Sequence, residues 1–107
     1  MTFYIKRGDT SPSILMKCED GQGNAVDISD ASARFHMSRL GSSVAKVDAP
    51  ASIIDAANGL VRYDWVSDDT DTSGPYWCEV EVSFLNGAVE TFPNNSYERI
   101  DIKDDLA

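Results

Sequence analysis

Two cysteines, one histidine and one acidic run are the residues of this 107-residue chain best suited to chemistry. Cys18 and Cys78 both fall on the inward side of predicted strands, and burial suppresses the thiolate that nucleophilic catalysis needs. His36 falls on an outward side, and as the only histidine it cannot form a histidine cluster for zinc or a histidine-based triad with a nearby nucleophile. The sequence therefore predicts no enzymatic activity.

The acidic run contains Asp68, Asp69 and Asp71, interleaved with Thr70 and Thr72. Such an oxygen-rich loop could hold Ca²⁺, but a calcium site needs roughly six to eight oxygens in a defined geometry. The spacing and the terminal Glu of an EF-hand are also missing. We predict a solvated acidic loop here, with neither a metal site nor a cofactor.

Short segments rich in β-branched and aromatic residues must position these side chains. Turn-forming residues such as Gly74-Pro75 and Asn86-Gly87 separate these segments. No stretch of the sequence repeats apolar residues with the 3.6-residue period of a helix. A single turn of helix within 49–57 is the one alternative to extended chain. We predict one domain over residues 1–107, with strands near 2–6, 13–19, 25–28, 32–38, 51–55, 60–66, 76–84, 87–92 and 98–103.

Side chains alternate between the two faces of a strand, so each predicted strand assigns its own core positions. Asn86-Gly87 lies between two apolar runs and predicts a hairpin with a type I′ turn, in which both central residues have positive φ. The core is predicted to centre on Cys18, Phe35, Trp65, Tyr76, Cys78 and Val80. Further inward residues are Ile14, Met16, Ala33, Met37, Val61, Tyr63, Val82, Phe84, Ile100 and Ile102.

The formal net charge is −9 and the pI is near 4.3, so the chain cannot supply the basic stripe that a nucleic-acid backbone requires. The acidic surface suits solubility or docking against a basic neighbour. No apolar signal segment opens the chain, and its apolar runs are too short to cross a bilayer. We expect no nucleic-acid or membrane partner, and synthesis in a reducing cytoplasm.

Tyr76 stands two residues before Cys78 at the start of a predicted strand. That spacing is typical of strand F in immunoglobulin-type domains, where the Tyr hydroxyl bonds to the backbone upstream. Together with the predicted strands, it indicates an all-β fold, an immunoglobulin-like antiparallel β-sandwich. Cys18 and Cys78 could form an inter-sheet disulfide in such a fold, but a reducing compartment favours free thiols.

Five stretches, taken together, resemble the N-terminal domain of phage baseplate upper proteins: "FYIKRGDTSPSI", "AVDISDASARFHM", "DAANGLVRYDW", "DTDTSGPYWCEVEVSFLNGAVETFPN" and "YERIDIKDDL". The similarity runs over nearly the whole chain and involves fold-setting residues rather than a catalytic motif. It implies a bacteriophage virion structural protein, made in the host bacterial cytoplasm. Its partners would be other virion proteins in the tail, the baseplate or the head–tail region, joined in a homo-oligomer or array.

Two other functions stay open. A capsid decoration or fibre-base protein would sit on the virion surface, and a carbohydrate-binding module would stack outward aromatic residues on sugars such as host surface glycans. The first strand is a natural place for strand addition to a neighbour, and an outward Trp is a good interface anchor. The predicted interface residues are Phe3, Tyr4, Ile5, Trp77 and Tyr97.

Overall fold

A computed structural model describes residues 2–107 as eight strands and two 3₁₀ turns. The 3₁₀ turns span Ala56–Asn58 and Ser67–Thr70. Among the described residues, no helix is long and apolar enough to cross a membrane. The strands are β1 (Thr2–Lys6), β2 (Ile14–Lys17), β3 (Ser32–Arg39), β4 (Ala45–Asp55), β5 (Leu60–Tyr63), β6 (Gly74–Ser83), β7 (Val89–Phe92) and β8 (Glu98–Lys103).

The strands form an all-β fold in which one mixed sheet curves into a nearly closed barrel. The order is β1-β8-β6-β3-β4-β5-β2, with β7 beside β6. One edge of β6 pairs with β3, and the other pairs first with β8 and then with β7. β4 pairs with β3 through its first half and with β5 through its second half, so it carries the sheet around a corner. β1 and β2 end the path with one neighbour each.

The first and last strands run parallel. Thr2 lies opposite Arg99, and Lys6 lies opposite Lys103. The prediction of a purely antiparallel arrangement was therefore wrong for this pair. Parallel strands need a long connection, and the whole chain between β1 and β8 provides it.

Strand β4 begins at Ala45, well before the predicted start at 51. Pro50 lies within it, opposite Arg34. Because proline lacks an N–H, it argues against a strand in a sequence pattern and is tolerated only where no ladder bond is lost. The proline concealed the first half of this strand from the sequence analysis.

One other local prediction was wrong. No strand forms at 25–28, where an isolated bridge joins Glu19 to Ala25. The predicted strand 51–55 lies within β4, and the alternative of a helical turn within 49–57 is met only by the short 3₁₀ turn Ala56–Asn58.

The hairpin between β6 and β7 has a different turn from the predicted one. Gly87 has φ +90°, but Asn86 is not among the residues with positive φ, so the turn is not type I′. The Phe84 N–H donates to the Ala88 carbonyl at 2.8 Å, which closes a three-residue loop over residues 85–87. Such loops need only one left-handed residue, and glycine fills that position.

The core fills the inside of the curved sheet and is built around an aromatic cluster. The Phe35 and Tyr63 rings stack with centroids 4.5 Å apart, and Trp65 meets them edge-on at 5.6 and 5.4 Å. These offset and edge-on geometries are the favourable ones for aromatic pairs. The structure buries all six residues predicted at the centre of the core: Cys18, Phe35, Trp65, Tyr76, Cys78 and Val80.

Tyr76 ties the start of β6 to the loop before it. Its hydroxyl donates a hydrogen bond to the Thr72 carbonyl at 2.7 Å, while its ring is 1% exposed. This is the local bond that the Tyr-x-Cys spacing predicted.

Candidate functional site

The sheet stays open between β1 and β2, and we call this opening the seam. On the β1 side, the Arg7 N–H donates to the Lys103 carbonyl at 2.7 Å. Backbone groups alternate in direction along a strand, so the odd-numbered residues of β1 face β8. The amides of the even-numbered residues point into the seam: Thr2, Tyr4 and Lys6.

Strand β2 presents a second free edge to the seam. The Cys18 N–H donates to the Gly59 carbonyl at 2.8 Å, which continues the antiparallel pairing of β2 with β5. By the same alternation, the amides of Leu15 and Lys17 point away from β5. Rows of unpaired edge amides are a template for pairing with another strand.

A cleft of about 280 Å³ lies along the seam. Phe3, Ile14 and Met16 give it apolar surface, and Lys17 and Glu98 are among the charged side chains that line it. The seam therefore combines unpaired backbone with an apolar lining. That combination suits an extended peptide segment.

The three interface residues predicted on β1 have different positions. Tyr4 is 60% exposed, and the Lys103 Nζ lies 5.7 Å from its ring centroid. Phe3 is half-buried and packs against Trp65 with ring centroids 5.9 Å apart. Ile5 is 5% exposed and belongs to the core, so its side chain is not available to a partner. Strand alternation explains the division, because Phe3 and Ile5 share the inner face.

The other two predicted interface residues meet on the outer face of the sheet. The rings of Trp77 on β6 and Tyr97 before β8 lie 5.8 Å apart at an interplanar angle of 31°. The Arg99 guanidinium lies 6.0 Å from the centroid of the Trp77 ring. A cleft of about 260 Å³ adjoins this pair, and we call it the aromatic pocket.

A series of close polar contacts connects the side chains near the aromatic pocket. His36 faces outward as expected, with Nδ1 3.0 Å from a Glu79 oxygen and Nε2 3.4 Å from an Asp48 oxygen. The Arg34 Nε donates to the same Asp48 oxygen at 2.9 Å, and this bond lowers the pKa of the Asp48 carboxyl. The series of contacts links β3, β4 and β6 across the outer face of the sheet.

The acidic run is structural rather than fully solvated, so that prediction was wrong for two of its members. Asp69 is 8% exposed and accepts hydrogen bonds from the Tyr63 hydroxyl at 2.6 Å and the Val66 N–H at 2.9 Å. Thr70 is fully buried, and its hydroxyl donates to the Asp9 carbonyl at 2.8 Å. These bonds pin the loop to the body of the protein. Asp68 and Asp71 remain exposed.

Both cysteines are free thiols in the core. Burial raises the pKa of Cys18 to about 11, with a smaller contribution from the charge of Glu90. Burial also raises the pKa of Cys78, whose Sγ lies 4.0 Å from the Met16 sulfur. Such thiols are poor nucleophiles at neutral pH.

Sequence reasoning missed the β2 side of the seam. Leu15 is 59% exposed although it lies between two buried residues, Ile14 and Met16. An apolar residue on the outward side of a strand was the available signal. The open edge behind it could not be read locally, because it depends on which strands pair.

Among residues 2–107, no group of three or more His, Cys, Asp or Glu is arranged to hold a metal ion. No protein-family model matches the chain, and a search of curated proteins found no match. The seam and the aromatic pocket hold the accessible members of the predicted interface: Phe3, Tyr4, Trp77 and Tyr97.

Proposed function

We propose that this protein is a non-enzymatic structural protein of a bacteriophage virion that binds neighbouring virion proteins in the tail, the baseplate or the head–tail region. The resemblance of the sequence to the N-terminal domain of phage baseplate upper proteins supports this setting. The net charge of −9 favours docking against a basic neighbour. In this proposal the chain is made in the host bacterial cytoplasm and enters the virion as a homo-oligomer or array.

We also propose that the curved sheet is a sandwich of the immunoglobulin type. The neighbour order β8-β6-β3 corresponds to strands G, F and C of that fold, and β5-β2 corresponds to E and B. Strand β4 pairs first with β3 and then with β5, and this change of partner supports a division of the sheet into two layers. The Tyr76 hydrogen bond supports strand F, while Phe35 on β3 stands where antibody domains carry a buried Trp.

The free edges of the seam carry the functional proposal. A segment from a neighbouring subunit that pairs with β1 gains backbone hydrogen bonds at Tyr4 and covers the apolar lining around Phe3. Lys6 and Lys17 stand on the two edges and are exposed. Charged side chains on an edge strand oppose pairing between free copies, so the same edges keep the unassembled chain soluble.

The backbone of Tyr4 gives the test. In Tyr4→Pro, the N–H that points into the seam is removed, while the bonds between β1 and β8 are kept because they use the odd-numbered residues. We expect a folded protein whose copy number in purified virions falls at least tenfold, measured by quantitative mass spectrometry against the major capsid protein. Tyr4→Ala is the matched control, since it removes the side chain but keeps the N–H, and it should incorporate normally.

Two results would contradict the proposal at different levels. Absence of the wild-type chain from purified virions would refute the virion function itself. Normal incorporation of both Tyr4→Pro and the equivalent β2 variant, Leu15→Pro, would refute strand addition at the seam and leave the virion setting intact.

A further inference from the structure

The aromatic pocket lies on the outer face of the sheet, and none of its lining residues belongs to β1 or β2. Trp77 on β6 lies between Ser38 on β3 and Arg99 on β8 in the strand register. Tyr97 is 56% exposed beside it. Two aromatic rings on one face, tilted by 31°, give the pocket an angled apolar surface.

Hydrogen-bonding groups complete the lining. Glu79 offers carboxylate oxygens, and its contact with His36 at 3.0 Å fixes both side chains. Arg39 also lines the pocket, and its Nη1 donates to the Ser73 carbonyl at 3.0 Å, which leaves other guanidinium N–H groups for a ligand. The pocket thus carries both donors and acceptors on a rigid sheet, where their positions are set before a ligand arrives.

We propose that the aromatic pocket binds one pyranose ring of a neutral or amino sugar. A pyranose has a face of C–H groups, which packs on an aromatic ring, and hydroxyl groups, which need fixed donors and acceptors at its edge. The cleft of about 260 Å³ is slightly below the range of about 300–1,000 Å³ typical of sites for drug-sized ligands, and so suits a single ring.

The charges around the pocket narrow the ligand class. The net charge of −9 disfavours nucleic acids and sugar phosphates. Glu79 within the lining accepts hydrogen bonds from a hydroxyl or an amino group, and Arg39 donates to a hydroxyl oxygen. A protein partner would be expected to need a broader apolar centre than two rings bordered by charged side chains.

The chain has two tryptophans, so a single NMR spectrum contains both the signal that should respond to sugar, from Trp77, and a reference signal, from Trp65. Trp65 is 5% exposed, and its indole N–H donates to the Pro12 carbonyl at 3.1 Å, so its NMR signal should not respond to a surface ligand. We would titrate the full chain with the methyl glycosides of glucose, galactose, mannose, rhamnose, N-acetylglucosamine and N-acetylgalactosamine. We expect at least one of them to shift the Trp77 indole signal with a millimolar Kd and to leave Trp65 unchanged.

Variants separate the pocket from other sugar contacts. Tyr97→Ala truncates an exposed side chain and should keep the fold while weakening sugar binding at least fivefold. Trp77→Ala should abolish sugar binding, followed on the backbone amide signal of Glu79 because this variant lacks the Trp77 indole. Tyr4→Ala is the matched control, because it removes a similarly exposed aromatic ring at the seam and should bind the sugar as the wild type does.

Several results would overturn the proposal. One is the absence of any Trp77 shift across the six glycosides, and another is sugar binding that Tyr97→Ala and Trp77→Ala leave unchanged. Loss of virion incorporation in Tyr97→Ala without sugar binding in the wild type would assign the pocket to a protein neighbour instead. Tyr4→Pro should bind sugar normally, so the seam and the pocket can fail independently.

Discussion

The centre of the sheet and the seam are built from similar residues but differ in how completely they are covered. Strands β3 and β6 have neighbours on both edges, and Phe35, Met37, Cys78 and Val80 on their inner faces are at most 1% exposed. β1 and β2 have one neighbour each, and Phe3 on the inner face of β1 is only half-buried. The comparison teaches that stability depends mainly on the centre, while the seam leaves backbone and apolar surface available for binding.

The largest effect is expected at the centre. Phe35→Ala removes the ring that stacks on Tyr63 and meets Trp65, so unfolding free energy should fall by about 3–5 kcal/mol, a large share of the stability of a small domain. Chemical denaturation followed by tryptophan fluorescence measures the change. A variant with an unchanged midpoint would contradict the assignment of Phe35 to the core.

Alkaline pH should lower the stability of the fold through its two buried thiols. Folding raises the pKa of Cys18 from an ordinary value near 9 to about 11, and burial raises that of Cys78 as well. Above pH 9 the unfolded chain therefore binds fewer protons than the folded one, and stability falls by at most about 1.4 kcal/mol per pH unit for each thiol. Below pH 9 this contribution is fully present.

Thermal melting between pH 8 and 11 checks this expectation. Cys18→Ala should reduce the fall of the melting temperature with pH in that range, and Cys78→Ala should do the same. Burial and the bond to Asp69 raise the pKa of Tyr63. A variant that carries both Cys18→Ala and Cys78→Ala should therefore still lose some stability above pH 10, where Tyr63 ionises in the unfolded chain. A flat profile in the wild type would show that the thiols are not shielded in the folded state.

The smallest effect is expected at the seam. Phe3→Ala removes a half-buried ring that packs on the edge of the core, so the cost should be about 1–2 kcal/mol, below that of a fully buried Phe. The same denaturation experiment measures it. A loss as large as that of Phe35→Ala would mean that β1 is part of the central core, and the distinction between the two regions would fail.

The sequence predicted the core well because the signal is local. In a strand the side chains alternate, so Val61 and Tyr63 on β5 could be assigned inward from their own neighbours alone, and both are buried. The interface residues were predicted less well, because they were chosen by their strand and not by the face on which alternation places them. Ile5 was chosen for its position on the first strand, but alternation places it inside.

Long-range pairing was beyond the reach of a local pattern. The parallel contact of β1 with β8 depends on residues at opposite ends of the chain. Asp69 was expected in solvent because acidic runs usually are, and only its two hydrogen bonds from Tyr63 and Val66 explain its burial. The seam could not be predicted for the same reason. A local pattern does not show which strands pair, so it does not show which strands are left with a free edge.

The labelling rates of the two buried thiols also measure how often the parts of the chain around them open. A thiol-reactive dye labels a cysteine only while the chain around it is open. Cys18 directly follows β2, the strand whose other edge borders the seam, whereas Cys78 lies within β6 at the centre. If the seam opens as a separate unit, Cys18 is labelled faster than the whole molecule unfolds, and Cys78 is labelled only at the global rate. When closing is faster than labelling, the ratio of the two labelling rates gives the difference in free energy between local and global opening.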